Sequence, residues 1–264
     1  MYRDILLNIK GLIIDMDGVL WHDTQPIGDL PEIFRTFSDL DLKFILATNN
    51  ATKNVEEYLA KLAGFGVFLD SEQVINTSQA TGIYLQKTYP EGTKVYAIGS
   101  LSLKKTLQSY GFEMVDEHDP DVRIVVASLD TALTYEKLSH ASLLIQSGCV
   151  FIGTNPDVTL PTPIGLIPGA GTIVKALEAA SGKTAKIIGK PEPLLYEMAL
   201  NRLSLDPDET LAIGDRLETD IAGAQAAGIH AALVLSGAST EAQAKQYSPV
   251  PEIITQDLAE LIGV

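Results

Sequence analysis

Two aspartates stand two residues apart at the end of an apolar run, in Gly11-Leu12-Ile13-Ile14-Asp15-Met16-Asp17-Gly18. Paired carboxylates in such a place call for a cation or a proton, and Gly18 lets the backbone turn directly after them. Three later runs of strand character also end in polar residues: Lys43 to Ala47 in Thr48-Asn49-Asn50, Ala185 to Ile188 in Gly189-Lys190, and Thr210 to Ile213 in Gly214-Asp215. If all four runs lie in one parallel sheet, their ends converge at its carboxyl edge, where open α/β sheets bind ligands. Asp15, Asp17 and Asp215 would repel one another there unless a cation joined them, and donors that are all oxygen suit Mg²⁺. Lys190 adds a positive charge to the same edge. Thr48 and Asn49 add neutral donors beside a helix N-terminus, where free N–H groups favour an anion. Together these groups describe a phosphate cradle.

Such a cradle predicts phosphoryl transfer, which needs charge neutralisation, a nucleophile and a proton for the leaving oxygen. Asp15 ends the strand and is the more rigidly held, so it is assigned as the nucleophile that forms an aspartyl phosphate. Asp17, in the loop, is assigned as the general acid that protonates the leaving group and then as the base that activates water. Taken singly, each motif has a plainer reading. Asp-x-Asp-Gly occurs in turns and opens calcium loops, although Pro26 stands where the closing glutamate of such a loop belongs. Thr48-Asn49-Asn50 can be a helix cap, Lys190 a solvated side chain, and Gly214-Asp215 a turn. The combination, each member at a strand end, favours the site.

The elements that must position these residues alternate between strand and helix almost throughout, the pattern of an α/β fold built on parallel sheet. Helices are expected over Pro31 to Leu40, Thr52 to Ala63 and from Asn76 through Gln86. The alternation then starts afresh, with strands at Lys94 to Ile98, Val122 to Ala127 and Val150 to Ile152, which could form a small sheet of their own. Helices at Ser102 to Tyr110 and Tyr135 to Ser147 separate them. Thr154 to Gly171 reads as a loop rich in proline and glycine, followed by a helix over Thr172 to Ala180. Helices at Leu194 to Leu203 and Thr219 to Ala227 and a strand at Ala231 to Leu235 complete the pattern.

The 264 residues are 46% hydrophobic and 20% charged, which is ordinary for a globular protein, and their formal charge is −15. That charge repels nucleic acid and anionic lipid, so neither is an expected partner. No apolar run is long enough to cross a bilayer, and Met1-Tyr2-Arg3-Asp4 lacks the layout of a secretory signal. The lone Cys149 cannot close an internal disulfide. A cytoplasmic location is the expectation. His118, His140 and His230 lack ligand spacing and are read as structural or surface residues.

Four motifs, Asp15-Met16-Asp17-Gly18-Val19-Leu20, Thr48-Asn49-Asn50, Gly189-Lys190-Pro191 and Gly214-Asp215-Arg216-Leu217-Glu218-Thr219-Asp220, resemble those of the haloacid dehalogenase superfamily of phosphatases. The resemblance spans the whole chain. It is strongest to the branch that holds NagD and the 4-nitrophenyl phosphatases, to which Asn155-Pro156-Asp157, Pro168-Gly169-Ala170-Gly171 and Thr134-Tyr135-Glu136-Lys137-Leu138 are also similar. It implies a Rossmann-like, doubly wound parallel-sheet core over residues 1–80 and 182–264, with an inserted α/β cap over 81–181 that closes on the site and selects substrate. It further implies Mg²⁺ held by the side chains of Asp15 and Asp215 and the backbone carbonyl of Asp17, with Asp220 behind them or an occasional ligand. The phosphate-binding set is then Gly18, Thr48, Asn49, Asn50 and Lys190, with Asn155 reaching in from the cap. Trp21 and His22 either border the leaving-group pocket or simply pack.

The expected activity is hydrolysis of a small phosphorylated metabolite. A phosphotransferase or mutase of the same fold, and a phosphate-binding module without turnover, are the alternatives. The cap surface offers a place for a homodimer.

Overall fold

The computed structural model describes residues 8–116, 119–162 and 164–264, so Met1 to Asp4 and His118 of the reading above lie outside the described residues. The chain divides into two compact units. One takes the chain through Thr48, then Val55–Ile75 and Lys190–Val264, and the other takes Asn49–Asn54 and Asn76–Gly189.

In chain order the strands are β1 (Gly11–Ile14), the two-residue ladder β2 (Trp21–His22) and β3 (Gln25–Pro26), β4 (Lys43–Thr48), β5 (Val74–Asn76), β6 (Lys94–Ile98), β7 (Glu113–Val115), β8 (Ile124–Ala127) and β9 (Val150–Gly153). They continue with β10 (Thr159–Thr162), β11 (Gly165–Pro168), β12 (Lys186–Ile187), β13 (Thr210–Gly214), β14 (His230–Val234) and β15 (Ile253–Thr255).

The first unit is built on a six-stranded sheet in the order β15-β14-β13-β1-β4-β5. β1 runs parallel to both neighbours, with Ile14 beside Ile213 of β13 and Leu46 of β4. Later strands are thus added on opposite sides of β1, which makes its carboxyl end the switch point where open sheets bind ligands. All four residues of β1 are buried, as expected of a strand covered on both faces. Helix α1 (Leu30–Asp39) buries Leu30, Ile33, Phe34 and Phe37, a stripe at helical spacing, and Asp29 caps it by accepting from the Glu32 N–H. Trp21, Met16, Leu20 and Tyr58 join this core. Burial of each such large side chain contributes roughly 2 kcal/mol.

The second unit has its own five-stranded sheet, β12-β9-β8-β6-β7, with parallel pairing throughout. Tyr96, Ile98, Val125, Phe151 and Val174 lie in its core.

Two expectations are corrected. The run before Lys190 does not join the sheet of Asp15, Thr48 and Asp215; only Lys186 and Ile187 pair, and they pair with Ile152 and Gly153 of β9. An apolar run as short as this carries no signal for which sheet it joins, because either offers it a partner. The supposed loop from Thr154 to Gly171 contains the antiparallel hairpin β10–β11. Pro161 sits within β10 and argues against a strand, but a two-stranded hairpin has outer edges where a missing N–H costs no ladder bond.

Candidate active site

The first unit gathers the charged residues at the ends of its central strands. Asp15 continues the ladder one residue past β1, its N–H donating to the Ile213 carbonyl at 2.9 Å. Asp215 follows β13 directly, and Thr48 is the last residue of β4. Lys190 comes from outside the sheet, just ahead of the helix Leu194–Leu203, yet its Nζ lies 2.6 Å from Asp15 Oδ1, 2.6 Å from Asp220 Oδ1 and 3.0 Å from the Ala47 carbonyl. With 2% of its surface exposed, this ammonium is withdrawn from solvent, and the carboxylates of Asp15 and Asp220 oppose its charge.

The carboxylates are held from behind. Ala238 N–H donates to Asp215 Oδ2 at 2.6 Å, and Ser239 N–H donates to the Asp215 carbonyl at 3.0 Å. The Asp220 carboxylate accepts the Arg216 N–H at 3.0 Å, and its carbonyl accepts the Tyr196 hydroxyl at 2.7 Å. A single wide turn of π-helix over Leu217–Ile221 swings Asp220 back to this position. Gly18 adopts φ +90°, and a Cβ there would sit 2.5 Å from Asp215 Oδ2, so both its conformation and its neighbour demand glycine. The Ser236 hydroxyl closes the same loop by donating to the Gly18 carbonyl at 2.8 Å.

Among the described residues, Asp15, Asp215 and Asp220 each present a carboxylate oxygen within 4.8 Å of the others. The Asp17 side chain is not one of the three; its Oδ1 accepts the Trp21 indole N–H at 2.8 Å. Burial above all raises the Asp15 carboxyl well above the usual carboxylate range, with Asp220 and Asp215 adding to the effect and Lys190 opposing it. Asp215 is pushed up to about 7, again by burial first and by Asp220 next, against the Ala238 N–H. Burial works against the charge of Lys190 as well, but Asp15 and Asp220 outweigh it and hold the ammonium well above its ordinary value. Three carboxylates against one ammonium leave two negative charges in excess when all are ionised. A divalent cation with a preference for oxygen fits that deficit.

Thr48 is buried, and its side chain is hydrogen-bonded to that of Tyr58, itself buried in the core of this unit. His22 is exposed, whereas Trp21 is fully buried.

The remaining predicted residues lie in the second unit. The Asn49 carbonyl accepts from Thr77 Oγ1 at 2.7 Å and from Asn155 Nδ2 at 2.8 Å, and Asn49 Nδ2 donates to Asp157 Oδ2 at 3.1 Å. Asn155 therefore binds the residue that follows Thr48 in the chain. Asn50 uses its Oδ1 locally, accepting the N–H and the hydroxyl of Thr52 at 2.9 and 2.7 Å. Gly189 packs against Asn49 so closely that a Cβ would lie 2.5 Å from its Oδ1.

Sequence reasoning missed Tyr58, Tyr196, the Ser236 to Ser239 loop and the bond from Trp21. The first two are ordinary helix residues in the pattern. Ser236-Gly237-Ala238-Ser239 does carry a signal, since it follows an apolar strand as the other motifs do.

Comparison with known proteins agrees with this geometry. Residues 12–113 match the model of the haloacid dehalogenase-like hydrolases, and residues 187–261 match a second model, HAD-hydrolase-like. An acid sugar phosphatase of Staphylococcus haemolyticus is 33% identical over 251 residues, covering 95% of this chain and 94% of the relative. The structure of a 4-nitrophenylphosphatase from Thermotoga maritima superposes with a TM-score of 0.91 at 30% identity, over 98% of each chain. The structure of a glycerol phosphate phosphatase from Mycobacterium tuberculosis, in complex with magnesium, gives 0.89 at 32% identity over 97% of this chain and 77% of that one. The chain belongs to the haloacid dehalogenase superfamily, in its NagD-like phosphatase branch. No helix among the described residues is long and apolar enough to cross a membrane.

Proposed function

We propose that this chain is a Mg²⁺-dependent phosphomonoester hydrolase acting on small phosphorylated polyols or sugars through an aspartyl phosphate on Asp15. The observation that carries the reading is the Lys190 ammonium bonded to Asp15 inside a buried group of three carboxylates. The acid sugar phosphatase and glycerol phosphate phosphatase relatives support the substrate class.

Asp15 attacks phosphorus with a carboxylate oxygen, and the bond from phosphorus to the ester oxygen breaks. Asp17, protonated at this stage, gives its proton to that leaving oxygen. Asp17 then takes a proton from a water whose oxygen attacks the acyl phosphate. The bond between phosphorus and Asp15 breaks, and inorganic phosphate leaves. Lys190 lowers the cost of an ionised Asp15 in this buried setting and, with Thr48, offers positive charge and a hydroxyl to the phosphoryl oxygens. Gly18, Asn49 and Asn50 line the phosphate loops, and Asn155 holds the second of them through the Asn49 carbonyl. Asp15 and Asp215 would hold Mg²⁺ with the Asp17 carbonyl, Asp220 standing behind them; when bound, the ion neutralises charge on the phosphoryl group. The inserted segment over residues 81–181 serves as the cap whose loops select substrate.

The test is hydrolysis of 4-nitrophenyl phosphate and of glycerol phosphate in Mg²⁺, with phosphate and alcohol both measured. Equimolar release by the wild type, arrest by chelator and a loss of at least about 10³-fold in Asp15→Asn are expected. Activity retained by Asp15→Asn overturns the covalent mechanism, and alcohol release without phosphate makes the protein a transferase.

A further inference from the structure

Trp21 is the only tryptophan in the chain, it is completely buried, and its one polar atom points at the side chain of the second aspartate. An indole N–H can donate and never accept, so a buried one needs an acceptor, and here Asp17 Oδ1 provides it at 2.8 Å. The ring is held in that direction. Lys61 Nζ stands 3.9 Å above the ring centroid, and Phe65 packs against the ring at 5.9 Å between centroids. The backbone adds a second tie, since the Gly18 N–H donates to the Trp21 carbonyl at 2.9 Å.

Asp17 needs such a device. Asp15 continues a strand and is fixed by the sheet, whereas Asp17 lies beyond the strand, half-buried, and its carboxylate is not one of the three grouped within 4.8 Å of one another. A free carboxylate in a turn samples several rotamers, and general acid catalysis falls steeply when the donor is misplaced. We propose that Trp21 is a positioning residue for Asp17: its indole N–H occupies Oδ1 and fixes the rotamer that turns Oδ2 toward the leaving oxygen of the substrate. The inference rests on the hydrolase reading above, and it assigns a role in the reaction to a residue otherwise counted as core.

A leaving group that needs no proton separates this role from structural support. The 4-nitrophenolate anion departs unaided, whereas an alkyl alkoxide must be protonated as its bond breaks. The value of kcat/KM reports every step up to release of the alcohol, so the second step does not obscure the comparison. In Trp21→Phe, kcat/KM for glycerol phosphate is expected to fall about tenfold more than for 4-nitrophenyl phosphate. In an Asp17→Asn background the same change is expected to add no further difference between the two substrates. Equal losses for both substrates in Trp21→Phe would make the residue structural support and overturn the proposal.

If Trp21→Phe does not fold, the single indole N–H resonance of the ¹⁵N-labelled wild type decides, because Asp17→Asn must shift it upfield by weakening its acceptor. An unmoved resonance overturns the proposal. Failure of the hydrolase reading looks different, since the wild type then releases no phosphate from either substrate.

Discussion

Lys190 Nζ lies 2.6 Å from Asp15 Oδ1 across 175 residues of sequence, and both groups are buried. The same ammonium lies 2.6 Å from Asp220 Oδ1, so one cation ties a strand-end acid to an acid carried on a helical turn. This pairing explains how three carboxylates are kept in one buried place. Its energetics can be tested separately from turnover.

Lys190→Met removes the positive charge and leaves the buried Asp15 and Asp220 carboxylates without the cation they share. Breaking one side of a buried ion pair costs about 3–5 kcal/mol, and urea unfolding of the chelator-treated protein is expected to show a loss of that size. Turnover is expected to fall at least about 100-fold. An unchanged unfolding midpoint would mean that the ammonium carries none of the proposed load.

Asp215, raised to about 7 chiefly by burial and next by Asp220, sets a pH dependence in the metal-free protein. Between its ordinary value of 3.8 and about 7, the folded chain keeps a proton that the unfolded chain has released. Stability therefore falls as pH rises through that window and levels off above it. Asp15, also raised, acts with the same sign. In chelator, the urea midpoint at about pH 5 is expected to exceed that at about pH 8, with a smaller difference in Asp215→Asn. Mg²⁺ affinity, read by calorimetry, runs the other way and strengthens toward pH 8, because the ion competes with this proton. A midpoint that climbs with pH refutes the assignment.

Gly18→Ala places a methyl group against Asp215 and holds an L-residue at φ +90°. The backbone alone is expected to cost about 1–2 kcal/mol. Displacement of the Asp215 carboxylate should weaken Mg²⁺ binding by about tenfold, a carboxylate ligand being drawn off its position. Binding of wild-type strength in a destabilised Gly18→Ala protein would separate the turn from the metal site.

Much of the site could be read from local pattern. Asp15, Thr48 and Asp215 each terminate an apolar run, and the sheet places all three at the carboxyl ends of adjacent strands β1, β4 and β13. Lys190 reached the same site by a route that its short apolar run did not foretell, since Lys186–Ile187 pairs in the other sheet. The hairpin β10–β11 was hidden by proline and glycine, the residues that elsewhere mark loops.

What the sequence determined by itself is the alternation that makes an α/β fold, and the chemical kinds of residue at its strand ends. Both are local properties, written in the spacing of apolar side chains and in the residue that follows each run. Only the tertiary structure decided that Lys190 bridges Asp15 and Asp220, that Asp17 turns to Trp21, and that the Ser236 to Ser239 loop backs Asp215. Those choices depend on which buried donor meets which buried acceptor across long stretches of chain, and an unpaired polar group in the core costs too much for the fold to leave them open.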